Sequence, residues 1–167
     1  MSSETRRGFF ATIAAVSAAL VGAAAAVPFL GALLSPIRRR MQDSPFIPVG
    51  KLDALPDGRA TRAPIVAAVV DAWTRYPPQE VGAVWLLRKG GEVHALSTIC
   101  PHLGCSVDAT ASGFACPCHD SAFDAGGGVK SGPSPRPLDP LECRVVGGEV
   151  QVQYARFVIG VKDRKKI

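Results

Sequence analysis

Cys100-Pro101-His102-Leu103-Gly104-Cys105 and Cys116-Pro117-Cys118-His119-Asp120-Ser121 gather four of the five cysteines and two of the three histidines into about twenty positions. Thiolates and imidazoles in such density are metal ligands before they are anything else. Cys-x-His in one loop and Cys-x-x-His in a second supply two thiolates and two imidazoles, a set that suits zinc or an iron-sulfur cluster. Cys105 and Cys118 are left over, each close behind a ligand on its own loop. A structural zinc knuckle could use the same four ligands, but such knuckles rarely carry a matched extra cysteine on each loop.

The two boxes resemble those of Rieske proteins, and the additional cysteine in each resembles the quinol-oxidising branch of that family. The resemblance covers most of residues 45 to 160. It implies one [2Fe-2S] cluster per chain, with Cys100 and Cys116 on one iron and His102 and His119 on the other. It also implies a Cys105–Cys118 disulfide, a Ser121 hydroxyl that donates to the cluster, and a catalytic role for the two histidines. His119 is then the quinol contact, with His102 at the other exposed corner. Gly132-Pro133-Ser134-Pro135-Arg136-Pro137-Leu138 resembles the family's proline loop, which lies over the cluster and limits water.

Two positions depart from the quinol-oxidising pattern. Phe123 stands where many relatives have a tyrosine that donates to a ligand sulfur, and Asp120 replaces the usual glycine between His119 and Ser121. One donor fewer and one carboxylate more both favour the oxidised cluster. A lower potential than that of the tyrosine-bearing members follows as the expectation, and it favours menaquinol over ubiquinol.

The loops need a frame; the surrounding sequence reads as an all-β, antiparallel domain, and the resemblance implies a Rieske-type sandwich with a two-loop cluster subdomain. Apolar alternation and turn punctuation predict strands at Val49 to Ala54, Pro64 to Val70, Val81 to Arg88, Glu92 to Ser97, Glu142 to Val146 and Glu149 to Tyr154. Gly90-Gly91 and Gly147-Gly148 sit where tight hairpins would join neighbours. In the last strand Val150, Val152 and Tyr154 alternate with Glu149, Gln151 and Gln153, so one face is buried. Asp71 to Gln79 reads as an irregular connection or a short helix. Cys143 reads as a buried, reduced thiol and His94 as a strand histidine rather than a ligand.

From Gly8 to Ile37 no residue is charged, which is long enough to cross a bilayer. Ten alanines make this helix only mildly apolar and let a neighbouring helix pack closely. Thr5-Arg6-Arg7-Gly8-Phe9-Phe10 resembles a twin-arginine export signal, which suits a domain whose cluster is built before export. Arg38, Arg39 and Arg40 outnumber Arg6 and Arg7, so charge counting alone leaves orientation open. The export signal decides it: N-terminus cytoplasmic, anchor uncleaved, head on the periplasmic side of a bacterial inner membrane. The three arginines then snorkel to headgroup phosphates.

The organisation expected is therefore a signal and transmembrane anchor at 1–40, a linker or hinge at 41–50, the cluster domain at 51–161 and a solvated basic tail at 162–167. The net charge of +5 sits at the membrane end, because the chain outside it is nearly balanced, and this argues against nucleic acid. The functional expectation is the Rieske subunit of a cytochrome bc complex, dimeric, with a cytochrome b and a c-type cytochrome as partners. Two alternatives remain open on sequence: the small subunit of a periplasmic molybdenum oxidase of the arsenite-oxidising kind, and a zinc-stabilised, membrane-anchored binding module.

Overall fold

The computed structural model describes residues 3–40, 45–71 and 74–167. The chain forms two units, Met1–Asp43 and Ser44–Ile167. The first is one helix, α1 (Ser3–Arg40), and its Arg6–Leu34 stretch has the length and hydropathy of a membrane span. Alanine and leucine are strong helix formers, and proline is tolerated in a spanning helix, so α1 runs on past Pro28. Phe9, Leu20, Val27 and Leu33 are all exposed, as side chains facing lipid would be. The side chains of Arg38, Arg39 and Arg40, and residues 41–44 of the expected linker, lie outside the described residues.

The second unit is built from β1 (Phe46–Lys51), β2 (Ala60–Ala67), β3 (Val70–Asp71), β4 (Thr74–Arg75), β5 (Gln79–Lys89) and β6 (Glu92–Ser97). Four short strands follow: β7 (Asp108–Thr110), β8 (Gly113–Ala115), β9 (Ala122–Asp124) and β10 (Val129–Ser131). The chain then returns through β11 (Pro140–Val146) and β12 (Glu149–Gln153). The main sheet has the order β1-β12-β11-β6-β5-β2, with every pairing antiparallel. Its two edge strands approach one another, so the sheet nearly closes. Both edges carry a proline, Pro48 and Pro64, where the missing N–H interrupts no ladder.

Strand β5 shows why one frame serves two purposes. Val84 and Leu86 point into the core shared with Ile65, Val150 and Val152, while Trp85, on the opposite face, joins Phe114, Phe123 and the cysteines. A strand buried on both faces reads as a continuous apolar run, which is how Val81 to Leu87 reads. Each fully buried valine, leucine, isoleucine or phenylalanine among them contributes about 1.5–3 kcal/mol. The second face of the sheet therefore carries the small sheet β10-β9-β8-β7 that holds the loops.

Several boundaries differ from those the sequence suggested. Phe46 to Gly50 are not strap: they pair with β12, and only residues up to 45 precede the sheet. Leu52–Ala54 is a 3-10 turn rather than the end of a strand. Among the described residues from Asp71 to Gln79 the start is neither a helix nor a plain loop, because β3 and β4 pair as a two-stranded ribbon. The basic tail folds back on the head: the Val158 amide donates to Lys165 O, the Ile167 amide to Arg156 O, and Arg164 pairs with Asp139 at 3.0 Å. Lysine and arginine side chains written as a run look solvated, but one of them has a buried carboxylate to meet.

Candidate metal centre

The first cluster loop leaves β6 and turns back at once. The Cys100 amide donates to Cys105 O (2.7 Å) and the Gly104 amide to Cys100 O (3.0 Å), with Gly104 at φ +82°. The loop is pinned to the sheet from below, because Trp85 Nε1 donates to Val107 O and the Thr98 hydroxyl to Ala83 O. The second loop joins β8 to β9 and closes with the Cys116 amide on Ser121 O (2.8 Å). Within it Asp120 sits at φ +56°, in the left-handed region that glycine enters without cost.

These two turns bring the four sequence-predicted ligands to one place with opposite exposure. Cys100 and Cys116 are buried, at 0% and 2% exposure, while His102 is half-buried and His119 exposed. The imidazole rings stand edge to face, with centroids 4.8 Å apart and an interplanar angle of 88°. A Cys105–Cys118 disulfide joins the loops, with the Cα atoms 6.6 Å apart, as the resemblance implied. The sulfurs of Cys105, Cys116 and Cys118 also lie within 4.8 Å of one another, but two of them are spent on that bond. Only Cys116 of this trio is a free ligand.

Two features fit a metal group held between the loops. His102 Nδ1 is buried and has no hydrogen-bond partner, an orphaned lone pair or proton of the kind native structures rarely leave unless something binds there. Burial pushes the Cys100 thiol up from its ordinary 9.0, and the Cys116 sulfur pushes it further. Hydrogen bonds from the His102 backbone and the Ser121 side chain act the other way. Two thiolates side by side in a dry pocket need a cation, and these are the residues that would hold one.

The proline loop covers the second loop. The Ser134 amide donates to Ser121 Oγ at 3.2 Å, and Ser121 is fully buried. Gly132, at φ +90°, passes so close that a Cβ there would meet the Ser121 Cα and Asp120 O. Beyond it, Arg136 makes a bidentate pair with Asp139 (3.0 and 2.8 Å), both about 4% exposed. Sequence reading missed this pair and the C-terminal segment it grips; the only signal was an arginine among prolines. Of the other residues singled out, His94 is exposed beside Glu92, and Cys143 is half-buried with its thiol on Val93 O.

Two disulfide-joined loops, thiols inside and imidazoles at the surface, define a metal-binding protein of the two-thiolate, two-imidazole kind. Residues 47–147, more than half of the chain, match the Rieske [2Fe-2S] domain, and the chain belongs to that family. This decides between zinc and an iron-sulfur cluster in favour of the cluster. The chain is 29% identical over 153 residues to the cytochrome b6-f complex iron-sulfur subunit of Chlorobaculum thiosulfatiphilum, covering 90% of this chain and 76% of that protein. It is 28% identical over 159 residues to the menaquinol:cytochrome c reductase iron-sulfur subunit of Geobacillus thermodenitrificans, covering 91% and 92%. A solved naphthalene 1,2-dioxygenase chain shares the fold, at a TM-score of 0.50 and 16% identity, over 66% of this chain and 26% of that one.

Proposed function

We propose that this chain is the membrane-anchored Rieske subunit of a cytochrome bc-type quinol:cytochrome c oxidoreductase. Its head takes one electron and one proton from a quinol and passes the electron to a c-type cytochrome. The observation that supports this best is the ligand asymmetry: buried Cys100 and Cys116 against surface His102 and His119, on loops clamped by Cys105–Cys118. Relatives matching about nine-tenths of the chain are named as subunits of such complexes.

When bound between Cys100 and Cys116 on one side and His102 and His119 on the other, a [2Fe-2S] group supplies one-electron acceptance, with a potential raised by its two neutral ligands. The chain's own residues supply the rest. His119, exposed at the tip, meets the quinol hydroxyl, and the ring nitrogen not spent on iron takes its proton. His102, whose Nδ1 faces inward, offers Nε2 for the same purpose. The quinol's second electron goes to a cytochrome b and its second proton to solvent. Ser121 and the proline loop keep water from the thiolate side.

Phe123 in place of a tyrosine, and Asp120 beside His119, set the potential below that of tyrosine-bearing members, within about −150 to +300 mV, and favour menaquinol. Arg6 and Arg7 act as the export signal, α1 stays as the anchor, and the head works on the periplasmic side of the inner membrane in a dimeric complex. The test is purification of the tagged full-length chain in mild detergent, followed by redox titration watched by electron paramagnetic resonance. A Rieske-type signal, a potential low in that range and a co-purifying diheme cytochrome b are the expected results. A potential at the top of the range removes the menaquinol preference, and a molybdenum subunit in place of the cytochrome b overturns the assignment.

A further inference from the structure

The C-terminal arm, residues 156–167, touches the first cluster loop. The Gly160 amide donates to Pro101 O (2.8 Å), the residue between ligands Cys100 and His102. Ile159 Cδ1 would lie 3.4 Å from a Cβ at Gly104, and the His102 carbonyl oxygen 3.6 Å from a Cβ at Gly160. Across the head, the proline loop grips the second cluster loop through Ser134 on Ser121 and the close pass of Gly132. Arg136 joins the two grips. Its guanidinium holds Asp139 bidentately and donates to the carbonyls of Val158 and Val161 in the arm, while Arg164 adds a second donor to Asp139 Oδ1.

We propose that Arg136, with Asp139, is a positioning residue for the cluster: it locks the C-terminal arm onto the first loop and the proline loop onto the second, setting the loop separation in parallel with the Cys105–Cys118 disulfide. The disulfide joins the two loops and is open to reductant, since Cys118 is exposed. The ionic clamp is buried. Two constraints in parallel make a specific signature. Loss of either leaves the other holding, and loss of both acts beyond the product of the single effects. The inference rests on the ligand assignment of Cys100, His102, Cys116 and His119, not on the quinol reading.

The test uses the full-length holoprotein in detergent and measures iron release to a chelator together with the resonance spectrum of the reduced protein. The first variant is R136M/D139L, which removes both buried charges and leaves neither unpaired. Expected is iron release about 10-fold faster or more, the range typical for groups that orient metal ligands, with a broadened spectrum. After reduction of the disulfide in the variant, release accelerates by more than the product of the two separate effects. Arg164→Gln, at a partly exposed position that does not threaten folding, gives a smaller acceleration in the same direction and decides the matter if the double variant fails to fold. A lowered melting temperature with unchanged release and spectrum makes the clamp merely structural and overturns the proposal. A wild-type protein without a Rieske spectrum sinks the ligand assignment instead.

Discussion

The Ser134 amide donates to the Ser121 hydroxyl oxygen at 3.2 Å, which leaves the hydroxyl's own proton for the Cys100 side, where Ser121 also reaches. Two loops are thus wired through one buried oxygen. A donor aimed at the cluster side stabilises the more negative, reduced state. Ser121→Ala should therefore lower the midpoint potential. One hydrogen bond of about 0.5–1.5 kcal/mol corresponds to a fall on the order of 20–65 mV for a one-electron couple. Titration of the variant holoprotein reads this directly, and an unchanged potential would mean that Ser121 only anchors the proline loop.

Asp120 carries two separable effects. Its backbone is left-handed, a conformation that costs an L-residue roughly 1–2 kcal/mol, less for aspartate than for most, and its exposed carboxylate stands next to His119. Asp120→Gly should raise both the melting temperature and the midpoint potential. Asp120→Asn keeps a side chain that tolerates the backbone and removes only the charge, so it should raise the potential with little gain in stability. Differential scanning calorimetry and redox titration of the pair separate the two. An asparagine variant with the wild-type potential would show that the carboxylate does not tune it.

The site was legible where chemistry dictates residue type. Cys100, His102, Cys116 and His119 announced a metal centre, and Cys105 with Cys118 a bridge once the family resemblance was drawn. The hairpins β5–β6 and β11–β12 were legible because Gly90-Gly91 and Gly147-Gly148 mark turns between alternating runs. Strands β7 to β10 were not, since three residues carry no period. Phe46 to Pro48 misled because Pro45 and Pro48 suggest an extended strap, whereas an edge strand needs no donor on its open side. The C-terminal arm was hidden for a different reason. Arg164 and Asp139 are 25 residues apart, and no local pattern says that one charge in a basic run will be folded back onto a buried carboxylate.

Cys143 offers a test of the packing behind the site. Its thiol donates to Val93 O at 3.0 Å, and burial pushes it up from its ordinary 9.0, with a backbone contact from Ala95 acting against this. A thiol whose folded value is raised favours the protonated form in the fold. Its contribution is complete below pH 9.0 and is lost as the pH rises through the folded value. The melting temperature of the wild type should therefore fall above pH 9.0 more steeply than that of Cys143→Val, whose similar volume keeps the strand packed without a titrating group. Between pH 7 and pH 8.5 the two should differ by a constant amount. Parallel curves through the alkaline range would place the thiol in water rather than against the core.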